Sequence, residues 1–479
     1  MLQFFSLGPF DSAKFEALTE GLSAAVISSA ELVQDNPRLR LDAAFFDPAV
    51  LRVINSIRAV DGERLSDRCG KILKGRTVGY YADGEIKVVR SGDISRGLID
   101  KDLLRTSSEE RFFPLMNGDV LVSSIGDGSI GKVHLFESGN QYATVSEVTV
   151  IRQNVVPPAY LAAFLHGRFG QLQIQRQTTG ATGQLHLYPE DLGRIYVPFG
   201  FKVLENRIAD TFRAGMAFRD RSRLFDIEAE SLLLDALMLR NWKAPDPLSF
   251  KSSYSHAFAS GRLDANYFAP KYEALSKIIA ATGSAKRLGD GLTTLVSRGS
   301  QPLYQDVGLP VINSRHVRAN RALVSGDNRQ AAPTKLLIQH GDVLVNGTGV
   351  GTIGRAAPYL ENQDALPDNH VTIVRPSEIN PLYLSVYLNS QLGQLQIERM
   401  ISGSSGQIEL YPEDIRQIVV WDAPEQLQLQ IADAVRCSFT MESRASELLA
   451  AAKRAVEIAI EDSETAALDF IAEQDVIDA

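Results

Sequence analysis

Cysteine is scarce in this chain: Cys69 and Cys437 are the two among 479 residues. They sit at unrelated positions and fit neither a metal-ligand spacing nor a disulfide framework, so two free thiols in a reducing cytoplasm are expected. The seven histidines are scattered, with no His/Cys cluster at zinc spacing and no recognisable catalytic set. No Gly-x4-Gly-Lys-Ser/Thr loop is present, which argues against an ATP motor. No Asn-Pro-Pro-aromatic or Asp-Pro-Pro-aromatic tetrapeptide occurs, as an amino-methyltransferase would carry. No apolar run approaches the roughly 20 residues that span a bilayer; the stretch 232–239 is short and contains Asp235. The first ten residues have no basic segment ahead of their apolar ones, so a secretory signal is not expected. These absences point away from metal, membrane and a catalytic role.

Hydrophobic content of 44% and charged content of 22% describe an ordinary globular protein. The length suggests about two to four domains. The net charge of -9 seems unsuited to a nucleic-acid partner, but it is unevenly placed. Residues 425–479 hold 12 acidic and 4 basic residues, leaving the rest near neutral. The window 286–355 holds 9 basic and 4 acidic residues, while the matching window 63–132 is close to neutral. A local cationic patch is compatible with an acidic whole.

What the sequence does have is a duplication. Gly118-Asp-Val-Leu-Val122 returns as Gly341-Asp-Val-Leu-Val345, and Gly170-Gln-Leu-Gln-Ile174 returns as Gly393-Gln-Leu-Gln-Ile397. Tyr188-Pro-Glu-Asp191 returns as Tyr411-Pro-Glu-Asp414, and Ile208-Ala-Asp210 as Ile431-Ala-Asp433. Each interval is 223 residues; Arg40-Leu-Asp-Ala43 and Arg262-Leu-Asp-Ala265 are 222 apart. A period this long is a repeated domain, since solenoid units are roughly 20–50 residues.

Each copy reads as a helical lead-in with the Arg-Leu-Asp element, short apolar runs (86–94, 310–317), and three strands (119–123, 132–136, 148–152; then 342–345, 355–359, 371–375). A helix follows a proline break (159–175, 382–399), then a Gly-Ser-Thr loop and a last strand (195–198, 418–421). Two long helices are expected, at about 204–239 and 425–461, with apolar residues at near-heptad spacing: Ile208 with Ile431, Phe212 with Val435, Leu233 with Val456. The expected fold is α/β (α+β): two tandem mixed α/β domains separated by two long antiparallel helices, with internal pseudo-two-fold symmetry. The expected boundaries are 1–202 (with an extension, 1–30), 203–240, a linker 241–250, 251–424, 425–462, and a frayed acidic tail 463–479.

Gly126-Asp-Gly-Ser-Ile-Gly131 and Gly349-Val-Gly-Thr-Ile-Gly354 both spell GxGxxG. A dinucleotide fingerprint needs a helix directly after the loop; strand-like sequence follows here, and Pro358 forbids a helix interior. Strand–loop–strand turns are favoured, with loop amides beside Lys132 or Arg355 able to touch phosphate. The loops 178–183 and 402–406 are rich in small hydroxyls, which either bond phosphate or cap the next element. Tyr-Pro-Glu-Asp reads as a helix start, with proline at the first position and acids in the first turn.

The copies differ where chemistry would be read. Copy one offers Lys71, Lys74, Arg76, Tyr80, Lys87, Arg90, Ser91, Arg96 and Lys132; copy two offers Arg298, Gln301, Tyr304, Asn313, Ser314, Arg315, His316, Arg318 and Arg355. These side-chain types read base edges and hold phosphates. The residues alone therefore suggest a non-catalytic, two-headed binding protein, with nucleic-acid contact favoured for these regions. A nucleotide-binding enzyme using the glycine loops and a coiled-coil scaffold binding only protein stand as alternatives.

The ordered motif set, occurring twice over about residues 35–462, resembles the specificity subunits of type I restriction–modification systems. The resemblance implies two target-recognition domains, each reading half of a bipartite site in double-stranded DNA. It implies long helices that space the domains and dock two methyltransferase subunits, with two motor–nuclease subunits completing the complex. S-adenosylmethionine, ATP and Mg would then belong to those partners, and this chain would bind no cofactor.

Overall fold

The computed structural model describes residues 11–476 apart from 23, 25, 34, 97–102, 127, 140, 154, 181–184, 325, 327 and 404–407, and apart from the side chains at 31, 95, 96, 475 and 476. The chain divides into two compact units, Met1–Ala217 with Arg444–Ala479, and Phe218–Ser443. The fold is mixed α/β with two long helices, Lys202–Ala236 and Glu425–Glu461. Both helices contribute residues to both units.

Each unit is built on a four-stranded antiparallel sheet. In the first its order is Lys71–Lys74, Val148–Arg152, Asp119–Ser123, Val133–Phe136. In the second it is Thr293–Arg298, Val371–Pro376, Val343–Asn346, Ala356–Pro358. Alternation along these strands sends successive side chains to opposite faces. Val120 and Val122 therefore join the helical core, while Leu121 joins a second core with Val88 and Val89. Val343 and Val345 against Leu344 repeat the pattern. A second four-stranded sheet in each unit contains one parallel pair, Ile86–Val89 with Tyr142–Thr144 and Leu309–Ile312 with Leu366–Pro367.

The long helices pair within each unit. In the first, Gly215 lies so close to Leu449 that a Cβ there would come within 2.7 Å of its side chain. In the second, Arg219 pairs with Glu442 at 3.4 Å and Ser222 bonds Ser438 at 3.1 Å, so the segments run antiparallel. Ile208, Ile431, Phe212, Val435, Leu233 and Val456 are all buried, as the apolar stripe demands.

Three expectations need correction. The segments 159–175 and 382–399 are each two helices, Pro158–His166 with Arg168–Gln177 and Pro381–Asn389 with Gln391–Met400. Gly167 and Ser390 are extended at the break, and the Ser390 hydroxyl caps the helix it precedes by accepting from Leu392 N at 3.2 Å. The run 86–94 is a strand only to Val89 and then turns into the helix Ser91–Arg96. The acidic tail forms a helix, Glu464–Val476, with Ala467 and Ile471 buried in the first unit's core. Its two apolar anchors outweigh a composition that reads as solvated.

Candidate nucleic-acid interface

The repeated motifs turn out to be the frame that holds the variable loops. In Gly-Gln-Leu-Gln-Ile the glycine admits the preceding helix: a Cβ on Gly170 would meet Phe164 O at 2.4 Å, and one on Gly393 would meet Leu388 Cα at 2.4 Å. The first glutamine ties that helix to the glycine loop. Gln171 Nε2 donates to Leu165 O (2.7 Å) and Gly131 O (3.0 Å); Gln394 Nε2 donates to Leu388 O (2.7 Å) and Gly354 O (3.1 Å). The second glutamine uses its carboxamide as an extra strand residue. Gln173 exchanges bonds with Tyr196 N and O (2.8 and 3.0 Å), and Gln396 with Val419 N and O (2.8 and 2.9 Å).

The other motifs serve the same frame. Asp119 and Asp342 are buried ion-pair partners of Arg152 and Arg375. Arg40 pairs with Asp42 at 2.8 Å and donates to Arg176 O and Thr178 O; Arg262 pairs with Asp264 at 2.6 Å and donates to Ile401 O. The Arg40 hydrogen bond holds the Asp42 carboxyl below the usual carboxylate range, as Arg262 does for Asp264. Tyr188 and Tyr411 precede short helices with Pro189 and Pro412 in the first turn.

This frame brings the two small-residue loops together. His186 bridges Ile125, at the glycine loop, to Thr179, at the hydroxyl loop; Glu409 likewise bridges Thr348 and Ser402. Residues 181–183 and 404–406 of the hydroxyl loops, with residue 127 of the first glycine loop, lie outside the described residues. Strands Val133–Phe136 and Ala356–Pro358 follow the glycine loops directly. A pyrophosphate would therefore find no helix N-terminus at the expected place. Gly131 (φ +79°) and Gly354 (φ +78°) occupy the left-handed region and close the turns.

The candidate contact residues fall into distinct settings. In the first unit Lys71, Lys74, Arg76, Tyr80 and Lys132 are exposed, with Lys71 and Lys74 at the ends of an edge strand. Lys87 lies 4.9 Å from the Tyr142 ring centroid and donates to its hydroxyl at 3.2 Å. Arg90 is held by Asp93 through two bonds of 3.0 and 3.1 Å, and Ser91 begins the helix behind it. Arg96 ends that helix, and its side chain lies outside the described residues.

In the second unit Arg298 turns inward. It pairs with Glu409 at 2.5 Å, donates to Gly347 O and Leu410 O, and lies 5.5 Å from the Tyr411 ring centroid. Register makes it the counterpart of Lys74, since Lys74 opposes Thr149 and Arg298 opposes Thr372, 223 residues on. Gln301 is exposed, and Tyr304 lies under the Arg329 guanidinium at 3.5 Å.

Arg315, His316 and Arg318 sit on the hairpin formed by Val317–Arg318 and Arg321–Ala322. Ser314 and Asn313 start it: Arg315 N donates to Asn313 Oδ1 (3.1 Å), and Asn346 Nδ2 donates to Ser314 O (3.0 Å). Arg315 and Arg318 are exposed; Arg355, half-buried, donates to Gly351 O at 2.7 Å. Burial lowers the His316 pKa, and Arg315 and Arg318 lower it further; burial and Arg318 lower that of Arg355. Arg315, Arg318 and Arg355 therefore form a cationic patch beside a glycine loop, with the His316 ring kept toward its neutral form among them. The helix Ser91–Arg96 occupies the equivalent stretch of copy one, so this is where the duplicated frame carries different elements.

Two residues of this region were not singled out from sequence: Asn346 and Arg321. Asn346 carried a signal, as a polar residue closing an apolar strand at the position of Ser123. Arg321 carried none, because its partners, Ser222 and Ser438, are distant in sequence. Among the described residues there is no group of three or more His, Cys, Asp and Glu placed to hold a metal. Burial pushes the Cys69 thiol up to about 12, unlike the depressed values of nucleophilic thiols. Among the described residues no helix is long and apolar enough to cross a membrane.

Fold and interface thus define a tandem duplicate of a mixed α/β domain, with a long helix closing each copy and unlike cationic loops on a common frame. No family model matches the chain, and no curated protein matches its sequence. Among solved structures it is similar to the type I restriction–modification system S subunit from M. genitalium, at 15% identity and TM-score 0.40, covering 86% of this chain and 95% of that one. It is also similar to the HsdS subunit from Thermoanaerobacter tengcongensis (16% identity, TM-score 0.25, 86% and 95% covered). A third similar chain comes from work on complex assembly and conformational transition of the type I R-M system (14% identity, TM-score 0.28, 84% and 97% covered).

Proposed function

We propose that this chain is the DNA-specificity subunit of a type I restriction–modification complex, with each unit reading one half of a bipartite target. The observation that carries the reading is a duplicated frame bearing unlike loops. Two copies of Gln171/Gln394, Asp119/Asp342 and Arg40/Arg262 repeat the same contacts, while the helix Ser91–Arg96 in one copy stands where the other has the hairpin of Arg315, His316 and Arg318. A repeated frame suits the shared geometry of the duplex backbone; unlike loops suit unlike base sequences. Exposed arginines of the hairpin are suited to bidentate contacts with guanine in the major groove.

In this reading the chain is non-catalytic. The long helices dock methyltransferase subunits, and S-adenosylmethionine, ATP and Mg are handled by those subunits and by motor–nuclease subunits. The methyltransferase flips its adenine out of the duplex, so the task of this chain is to position it. The test is methylome sequencing of the host strain with and without the gene. Loss of one bipartite adenine-methylation motif on deletion is the expected result. An unchanged methylome overturns the reading, as does tight binding of labelled nucleotide or S-adenosylmethionine by the isolated chain.

A further inference from the structure

The hairpin that carries Arg315, His316 and Arg318 is anchored beside its turn, through Arg321, to the long helices of its own unit. Arg321 donates through Nη2 to Ser438 Oγ at 2.8 Å and reaches Ser222 Oγ at 3.4 Å; the two serines bond each other at 3.1 Å. Both serines are buried, at 0% and 2% exposure, on facing helices. The Arg321 guanidinium also covers the Phe439 ring at 4.6 Å. Asp226 lies in the same cluster; burial raises its pKa, and Ser438 and Arg321 oppose that rise. Glu442 faces the same group from the second helix. A guanidinium fork is well matched to two hydroxyls and a ring face, because its donors are fixed in one plane.

The rest of the hairpin is tied down around this point. Asn320, at φ +57°, donates its N–H to Ala356 O at 2.9 Å, and its Oδ1 accepts from Ser385 and Asn389 at 2.9 and 2.7 Å. Leu323 N donates back to His316 O at 2.8 Å. The first copy has no hydroxyls at the matching helix positions. At the 223-residue interval Ser222 corresponds to Ala445 and Ser438 to Gly215, and Gly215 is packed against Leu449.

We propose that Arg321 is a positioning residue: it fixes the second unit's reading hairpin to the helix pair, so selectivity for one half of the target depends on this tether. The proposal rests on the DNA-specificity reading and adds to it a residue that touches no DNA. Arg321→Gln in the full chain tests it, with Arg321→Lys as the conservative control and Ser222→Ala/Ser438→Ala as the second route should Arg321→Gln fold poorly. Hydrogen exchange across 313–323 and selection from a randomised duplex pool by the chain co-assembled with its methyltransferase are both read. Losing a charged, buried hydrogen bond should raise exchange at the Asn320 and Leu323 amides about tenfold or more. It should also broaden the selected bases in one half of the motif alone, with Arg321→Lys recovering part of the loss. Unchanged exchange in the hairpin overturns the proposal. So does a loosened hairpin with an unchanged motif, or equal broadening in both halves. A wild-type assembly with no sequence preference would sink the proposed function itself, an outcome separable from a wild-type preference that survives Arg321→Gln.

Discussion

Arg152 grips Asp119 with both prongs of its guanidinium, at 2.7 Å on each, and Asp119 is only 1% exposed. Arg375 holds Asp342 in the same way, at 2.7 and 2.9 Å. Each carboxylate also accepts a backbone N–H from the turn before its strand, Met116 at 2.8 Å and Gln339 at 2.7 Å. Removing one partner of a buried pair leaves the other uncompensated and costs about 3–5 kcal/mol. Arg152 is 26% exposed, so water shares its charge and the lower end of that range is expected. Asp119→Ala should therefore destabilise the first unit by about 3 kcal/mol, measured by urea unfolding with hydrogen exchange on the strand Asp119–Ser123. A loss below about 1 kcal/mol would put the pair among ordinary surface bridges.

These two pairs also explain what the sequence could disclose. Gly-Asp-Val-Leu-Val was visible as a repeated strand because alternation and β-branching are local properties. Its arginine partner, 33 residues on in both copies, was not, since an ion pair across a sheet leaves no mark on either segment alone. The long helices were legible from their stripes. The breaks at Gly167 and Ser390 were not, because apolar spacing continues through them and only the close approach of Gly170 and Gly393 requires the kink. Within the candidate interface, residue type pointed to Arg298 and Arg315 equally. Only tertiary structure separates an arginine spent on Glu409 from one left in solvent.

That separation gives a prediction for three arginines. Arg315→Ala should leave stability nearly unchanged, weaken target binding by about 1–3 kcal/mol and relax one position of the motif. Arg90→Ala should instead leave Asp93, 3% exposed, without its two-pronged partner, and should act mainly through stability. Arg298→Ala should unfasten Glu409 and Leu410 from the edge strand Thr293–Arg298 and lower stability as well. Paired thermal melts and binding curves distinguish the cases. An Arg315→Ala variant with wild-type affinity and motif would remove that residue from the interface.

His316 links the hairpin to pH. Three donors face its ring, Asn313 N (3.2 Å) and Asn328 Nδ2 (3.4 Å) at Nδ1, and Arg315 Nε (3.3 Å) at Nε2. A neutral imidazole accepts at one nitrogen, and an imidazolium at neither. Burial and then the neighbouring arginines hold the folded pKa below the ordinary 6.5. A depressed value means that the unfolded or opened segment takes up the proton first as pH falls. The stabilisation is therefore complete above 6.5 and is lost as pH drops through that value toward the folded pKa. Exchange across 313–323, corrected for intrinsic rates, should accelerate on that descent in the wild type and stay flat in His316→Gln. A pH-independent wild type would show that the ring is not held neutral by these contacts.

The glycine-loop turns provide a test that spans two motifs. Gly354 sits at φ +78°, and a Cβ there would lie 2.7 Å from Ile397 Cγ2; at Gly131, φ +79°, it would lie 2.9 Å from Ile174 Cγ2. Alanine must accept a left-handed backbone, at roughly 1–2 kcal/mol, and must also push back the buried isoleucine, at roughly 1–3 kcal/mol. Gly354→Ala should thus destabilise the second unit by at least about 2 kcal/mol. The isoleucine belongs to Gly-Gln-Leu-Gln-Ile, so the two motifs are coupled sterically and their substitutions should not add. Trimming Ile397 to alanine removes both Cγ atoms. The double variant should then be less destabilised than the two single losses together, by about 1 kcal/mol. Strict additivity would mean that the glycine is required by backbone angle alone, and that the loop is free to shift away from the helix.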